Sequence, residues 1–331
     1  YRVVALVTPM LERMRHAVEK SLGTPAQSVH FGRPVNFEGQ DERRNEVALA
    51  RLGEAGENAG FQRISFYPEP VAATLSYLWG AQPKAEGTAL TVDFGGGTLD
   101  LSVIRYAGTR FEVRATAGVG LGGNRIDQLI YRELLFPELG QGESWSRTVD
   151  GRLVEAAFPF EEYEAGLLSW PTTYLLNQNV TKTRVLERIA QGGPAAVKFE
   201  RLNDLISFNY SFNCFQAIKQ AKAALSQQTE VVLDIPELNL SIPFRRDTFD
   251  RVLIPVLATL SQLIDSVIAD AGLEDGDIDL VIRTGGSSEI LAVRRLLEDR
   301  FPGKVTVHDP FTSVAGGLAI ANYYGYTGQP D

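Results

Sequence analysis

TVDFGGGTLDLSVIR, residues 91–105, is the stretch on which the fold turns. An apolar run ends at Asp93, three glycines follow (Gly95, Gly96 and Gly97), and Thr98 and Asp100 open a second apolar run. In that second run Leu99, Leu101 and Val103 fall on one face and Asp100 and Ser102 on the other. The pattern predicts a β-hairpin whose tip carries no side chains. Consecutive glycines let a backbone approach a ligand closely and let its N–H groups point outward together, which suits a phosphate. Thr98 would add a hydroxyl, and Asp93 would hold water on a phosphate-bound magnesium ion. The alternative is a hairpin whose glycines only shape a tight turn.

Three further stretches carry chemistry. Residues 117–127, AGVGLGGNRID, place Gly118, Gly120 and Gly123 at the spacing of a dinucleotide-binding turn, after a predicted strand and before a predicted helix. That fingerprint requires a second strand after the helix, and Pro137 ends the helix with no clear strand behind it. Gly122 and Gly123 at the helix start can meet a phosphate or ribose through free amides, or can serve close packing of helix on sheet. Residues 279–290, DLVIRTGGSSEI, run a buried strand into Gly285 and Gly286, with Ser287 or Ser288 expected to cap the next helix. A flat glycine surface at a strand's C-terminal end could lie under a base, or be a plain turn. Residues 66–78, FYPEPVAATLSYL, hold Glu69 between two prolines. There it could orient a nucleophilic water or a hydrated metal, or be a helix-start glutamate favoured by the helix dipole.

Around these motifs the pattern predicts helices over residues 9–23, 42–58 and 70–79, a strand and turn over 28–37, and strands over 62–67, 88–94, 99–106 and 110–116. A helix is expected over 124–136, an irregular helical insertion over 137–195, and one long helix over 196–226. Strands at 230–235 and 237–242 flank a turn near Pro236, and a helix covers 247–271. Strand 278–283, helix 287–301, strand 304–308 and helix 311–323 close the chain. Alternating strands and helices argue an α/β fold.

Composition narrows the function classes. A chain of 331 residues is long for one core, so two lobes are expected. Its 32 Lys and Arg against 41 Asp and Glu give a net charge of −9, which argues against nucleic acid or an anionic membrane as partner. No apolar stretch is expected to approach the ~20 residues of a membrane span. The single cysteine, Cys214, excludes an intramolecular disulfide and favours a reducing, cytoplasmic setting. His16, His30 and His308 are scattered and form no metal constellation.

EPVAATLSY, DFGGGTLDLS, LGGNRID and TGGSSEI occur in the order found in DnaK-type seventy-kilodalton heat-shock chaperones, within the actin and hexokinase superfamily. The chain resembles that family from about residue 28 to 324. FGRPVNFEG and the long middle insertion look most like its short YegD-type members, which have no peptide-binding domain. The resemblance implies an actin-like ATPase fold, two lobes around a nucleotide cleft. Residues 1–86 and part of 309–325 would belong to a first lobe truncated at its N-terminus, and 87–308 to the second, with the insertion at about 137–225. A second phosphate hairpin, and the lysine the family uses in hydrolysis, would precede Tyr1.

Carried over by position, Asp93 would stand near magnesium (Mg) and its waters, Gly95, Gly96, Gly97 and Thr98 at the β- and γ-phosphates, and Glu69 by the attacking water. Gly122 and Gly123 would pass the ribose and phosphates. Lys222 and Ser226 would approach the nucleoside, and Gly285, Gly286 and Ser287 would floor the adenosine site. Pro34 matches the proline of the family's interlobe switch. Two departures stand out: the family's pair of adenine-clamping arginines is replaced by Ala223 and Glu289, and Phe311 stands for a family aspartate. The expected function is binding and slow hydrolysis of ATP, with ADP as the other bound form, coupled to lobe closure and serving a client or co-chaperone protein. The alternatives are a nucleotide-binding pseudoenzyme or interaction module and, resting on Gly118–Gly123 alone, an NAD-dependent oxidoreductase.

Overall fold

The computed structural model describes residues 3–37, 42–81, 86–108, 110–309 and 312–325. Phe311 lies outside the described residues, as does the end of the FGRPVNFEG stretch. In chain order come α1 (Val3–Leu22), β1 (Ser28–Arg33), α2 (Glu42–Asn58), β2 (Arg63–Pro68) and α3 (Glu69–Ala81). The hairpin strands β3 (Glu86–Phe94) and β4 (Leu99–Ala107) follow, then β5 (Arg110–Val119) and α4 (Gly123–Ile130). Next are β6 (Ser144–Val149), β7 (Arg152–Ala157), α5 (Glu161–Leu167), α6 (Asn179–Ala190), α7 (Ala196–Phe208) and α8 (Ser211–Ala224). The last elements are β8 (Glu230–Ile235), β9 (Leu240–Arg245), α9 (Arg246–Asp270), β10 (Leu280–Thr284), α10 (Leu291–Arg300), β11 (Val305–Val307) and α11 (Ser313–Tyr324). The chain divides into two compact units, Tyr1–Gly123 with Val256–Asp331, and Asn124–Pro255.

The first unit is built on a five-stranded sheet ordered β11-β10-β3-β4-β5, beside a parallel pair of β1 and β2. β3 runs parallel to β10, with Asp93 opposite Thr284, and antiparallel to β4, with Asp93 opposite Asp100. The predicted alternation along β4 holds chemically, but both of its faces are covered: Leu99 to Ile104 are all buried. The polar face is therefore enclosed and must satisfy itself. Thr74 of α3 does so for its part of that face, 2.5 Å from the Thr91 hydroxyl and donating to the Pro70 carbonyl at 2.8 Å. Val71, Ala72 and Leu75 of α3 join Ile104, Val113 and Ala321 in one apolar cluster. Each buried Leu, Ile or Val there contributes roughly 1.5–3 kcal/mol. The cluster fixes α3, which begins at Glu69, on the face of the sheet that carries Asp100 and Ser102.

In the second unit the structure corrects several expectations. The insertion is not wholly helical, because β6 and β7 form an antiparallel hairpin. Its turn is Asp150-Gly151 with φ of 50° and 75°, the pair favoured where both central residues of a two-residue hairpin turn need positive φ. The long helix is broken: Asn209 takes the left-handed conformation, φ 56°, and ends α7 before α8 begins. The expected helix over 124–136 is α-helical only to Ile130, then widens to a π turn at Tyr131–Leu135 and tightens to a 3-10 turn at Phe136–Leu139. β9 starts later than expected, because Pro236–Leu238 form a 3-10 turn closed by left-handed Asn239.

Contrary to the expectation from the sequence, one described helix, α9, is long and apolar enough to cross a membrane by length and composition. Its residues Phe249, Leu253, Val256, Leu260, Ile264 and Val267 are buried at helical spacing, and Gln262, Asp265, Ser266 and Asp270 are exposed. That two-faced pattern is amphipathic.

Candidate functional site

The site grows from the tip of the β3–β4 hairpin. Gly95 N–H donates to the Thr98 carbonyl at 3.0 Å and closes a short loop. Gly96 and Gly97 are exposed, and their N–H groups make no hydrogen bond to described residues. Neither has positive φ, and a β-carbon on either would meet nothing within 4 Å. The fold itself therefore makes no demand for glycine at these two positions. What remains is a bare backbone tip with free amide donors, a chemistry that accepts an anion.

Two other glycine turns close on this tip. A β-carbon on Gly122 would lie 2.4 Å from the carbonyl carbon of Gly97 and 2.5 Å from the carbonyl oxygen of Gly96. Close packing is thus what Gly122 provides. The Gly123 N–H, expected to be open to a ligand, donates to the Gly95 carbonyl at 3.0 Å and braces the tip. From the other side, Gly285 has φ of 79°, and a β-carbon there would lie 2.5 Å from the Phe94 oxygen and 2.7 Å from Asp93 Oδ1. Ser287 donates its hydroxyl to the Gly95 carbonyl at 2.9 Å. Neither serine caps α10: Ser288 donates to the Gly285 carbonyl at 2.7 Å, and Gly286–Glu289 form a 3-10 turn.

Three carboxylates share this end of the sheet. Burial, then the charges of Glu69 and Asp100, push Asp93 up to about 7. Burial and Asp100 also raise Glu69. Asp100 is 1% exposed, and burial pushes it up to about 6 against the Thr98 hydroxyl, the N–H groups of Val35 and Asn36, and the charge of Arg33. The Val35 N–H donates to Asp100 Oδ1 at 2.8 Å, so the segment after Pro34 is tied directly to β4. The reading of the sequence gave Asp100 no role. The signal was available, because a four-residue loop between antiparallel strands must set residues 93 and 100 opposite one another.

Among the described residues no group of three or more His, Cys, Asp or Glu is arranged to ligate a metal ion directly. The trio nevertheless concentrates negative charge that a hydrated cation would relieve, which fits magnesium held through water.

Gly286 belongs to the turn just described. Beside it, the Arg283 guanidinium is 10% exposed and donates to Glu289 Oε1 at 2.7 Å and to the Ser288 carbonyl at 3.1 Å. Glu69, Asp93, residues 95–98, Gly122, Gly123 and residues 285–287 therefore all lie in the first unit. Lys222 and Ser226 belong to the second. There Lys222 Nζ bonds Asp127 Oδ1 at 2.5 Å, and Ser226 N–H donates to the Ala223 carbonyl at 3.1 Å in the turn after α8. Asp127 is 1% exposed, and its Oδ2 is buried without a hydrogen-bond partner. β6, the strand after α4, pairs with β7 in a sheet of its own rather than extending the main sheet.

Three glycine turns from distant parts of the chain, packed backbone to backbone around carboxylates, agree with the comparison to known protein families. The family described as Hsp70 protein matches residues 1–149 and 212–322. This chain belongs to the Hsp70 family. The mixed α/β architecture is that of the actin-like ATPase fold. Heat shock 70 kDa protein BIP3 of Oryza sativa subsp. japonica is 28% identical over 324 residues, covering 96% of this chain and 39% of that protein. Chaperone protein DnaK of Deinococcus proteolyticus is 25% identical over 279 residues, 81% of this chain and 34% of that protein. A chaperone protein HscA homolog of Haemophilus influenzae is 25% identical over 320 residues, 96% of this chain and 40% of that protein. The chain thus spans well under half the length of these relatives.

Proposed function

We propose that this chain supplies part of the nucleotide site of an Hsp70-type ATPase, which binds ATP or ADP with magnesium and hydrolyses ATP slowly. The observation that carries this reading is the contrast within the glycine turns. Gly122 and Gly285 have structural reasons to be glycine, whereas Gly96 and Gly97 have none except an approaching ligand. In this reading the amides of Gly96 and Gly97 and the Thr98 hydroxyl receive the β- and γ-phosphates. Gly285, Gly286 and Ser287 lie under the nucleoside. Asp93 holds water on magnesium, and the ion when bound neutralises charge on the phosphates. Glu69, fixed between Pro68 and Pro70, orients the attacking water. Phosphoryl transfer needs positioning and charge neutralisation more than covalent chemistry, so amides and two carboxylates suffice on this side of the phosphates. A client or co-chaperone partner and a cytoplasmic setting belong to the same proposal.

The test is nucleotide binding by the full-length protein. ATP and ADP with magnesium should raise the melting temperature, and NAD should not. No shift with either adenine nucleotide would reject the reading.

A second reading, a nucleotide-binding module without significant hydrolysis, is favoured by one feature. Neither position matched to the adenine clamp offers a cation: Ala223 has none, and Glu289 is an anion tied to Arg283. Single-turnover phosphate release separates the two.

A further inference from the structure

Within the second unit, α4, the turn at residues 168–171 and α8 enclose a hollow of about 200 Å³. Its apolar wall is Leu168, Trp170, Pro171 and Phe215. Trp170 is 47% exposed and stands edge-on to Phe212, itself 48% exposed, with ring centroids 5.4 Å apart. Gln128 of α4 donates to the Leu168 carbonyl at 3.0 Å and holds the turn in place. This turn falls in the stretch, residues 150–211, that the Hsp70 family match leaves out.

Positive charge is in excess beside the hollow. Lys219 on its rim is exposed and forms no hydrogen bond or ion pair with described residues. The carboxylate nearest in effect, Asp127, is already bonded by Lys222. Arg125 is also exposed; its guanidinium bonds the neutral Gln128 Oε1 at 3.1 Å and has no carboxylate partner among described residues. In a chain of net charge −9, two exposed cations, Lys219 on the rim and Arg125 beside the lining residue Asn124, face Asp127 as the one carboxylate among described residues that Lys219 is seen to act on. The excess of positive charge selects an anionic occupant. The hollow is smaller than the roughly 300–1,000 Å³ of small-molecule sites, and has room for about one apolar side chain.

We infer that this hollow docks an acidic peptide segment of a partner protein, seating one apolar side chain between Trp170 and Phe215 with flanking carboxylates against Lys219 and Arg125. An aromatic anchor pocket with charges at its edge is the arrangement in which a few residues carry most of the binding energy. The inference does not depend on the nucleotide reading.

The probe is a fluorescein-labelled decapeptide with one central phenylalanine flanked by glutamates, titrated with the full chain and read by anisotropy. Two control peptides replace the phenylalanine by alanine or every glutamate by lysine. The acidic peptide should bind, the alanine version about tenfold more weakly, and the lysine version not measurably. Lys219→Glu and Arg125→Glu should each weaken the acidic peptide about fivefold or more, and the double variant should take the lysine peptide instead. Both side chains are exposed, so an unchanged melting curve is expected for these variants. Trp170→Ala should weaken binding and Trp170→Phe should largely restore it. No binding, equal binding of acidic and lysine peptides, or no effect of the charge reversals would overturn the inference. So would displacement of the peptide by ATP in simple competition, which would assign the hollow to the nucleotide.

Discussion

Gly122 lies so close to Gly96 that a β-carbon on Gly122 would stand 2.5 Å from the Gly96 carbonyl oxygen. The turn after β5 therefore rests on the hairpin tip as backbone on backbone. This contact separates two kinds of glycine that look alike in the sequence. Gly122→Ala must push the tip and the turn apart, and overpacking of this sort costs about 1–3 kcal/mol. Gly97→Ala meets no atom and no positive φ, so it should change stability by roughly 0.5 kcal/mol or less. If the tip receives phosphate, the added methyl should still weaken ATP binding by about tenfold or more. Urea melts and ATP titration of the two variants check the contrast. An unweakened Gly97→Ala would remove the tip from the site.

The carboxylate trio makes a prediction about pH. Asp93 ionises near 3.8 when unfolded and at about 7 in the folded protein. Below pH about 4 both states hold the proton. Between about 4 and 7 the folded state holds more protons than the unfolded one, so this contribution to stability is lost as pH rises. Asp93→Asn should flatten the decline and stabilise the protein at pH 8 by about 1–3 kcal/mol. Thermal melts at pH 5, 6.5 and 8 read it. Parallel curves for variant and wild type would mean Asp93 carries no such strain.

Glu289 stands where the resemblance places a base-stacking arginine, yet Glu289→Arg alone is the wrong test. It would strip the buried Arg283 of its counter-charge and set a second guanidinium beside it. Loss of about 1–3 kcal/mol of stability is expected, below the range for fully buried pairs because Glu289 is 44% exposed. Adding Arg283→Leu removes the repulsion and should restore stability. In full-length protein that double variant should bind ATP a few-fold more tightly, the scale of one cation–π contact at about 0.5–2 kcal/mol. Calorimetry showing no gain, with stability restored, would put the base elsewhere.

How much of this was legible depends on how local each signal is. The β3–β4 hairpin is written in fifteen consecutive residues, and its strands and bare tip are where the pattern predicts them. Asp150-Gly151 is an equally local hairpin signal, but it sits between Arg147 and Arg152 in a polar stretch whose strands bury little, so periodicity did not reveal it. The break at Asn209 is weaker still. Phe199, Leu202, Leu205, Cys214, Phe215 and Ile218 keep helical spacing across it, and only asparagine's tolerance of left-handed backbone hints at a stop. The seating of Gly122 on Gly96, and the hydroxyl of Ser287 on the Gly95 carbonyl, are tertiary contacts. No local pattern encodes them, and they became readable only through motif order and the resemblance it carries.

Glu69 and Asp93 are both carboxylates at strand ends with raised ionisation, and the proposal assigns them different failures. Asp93 lies beside the tip, two residues before Gly95, and has Gly285 packed against its oxygen. Its charge would act through hydrated magnesium, so Asp93→Asn should weaken magnesium-dependent nucleotide binding and hydrolysis together. Glu69 opens α3 between two prolines, with its side chain against Gly32, so its position is fixed by the fold rather than by a ligand. Orienting water matters late in the reaction and little to ground-state binding. Glu69→Gln should therefore leave ATP affinity within about threefold, under ~0.7 kcal/mol, and slow turnover by ~10²-fold or more. ATP titration and single-turnover hydrolysis on full-length variants decide the matter. Wild-type turnover in Glu69→Gln would remove its catalytic role. Were wild-type turnover itself near background, the reading without hydrolysis would take its place.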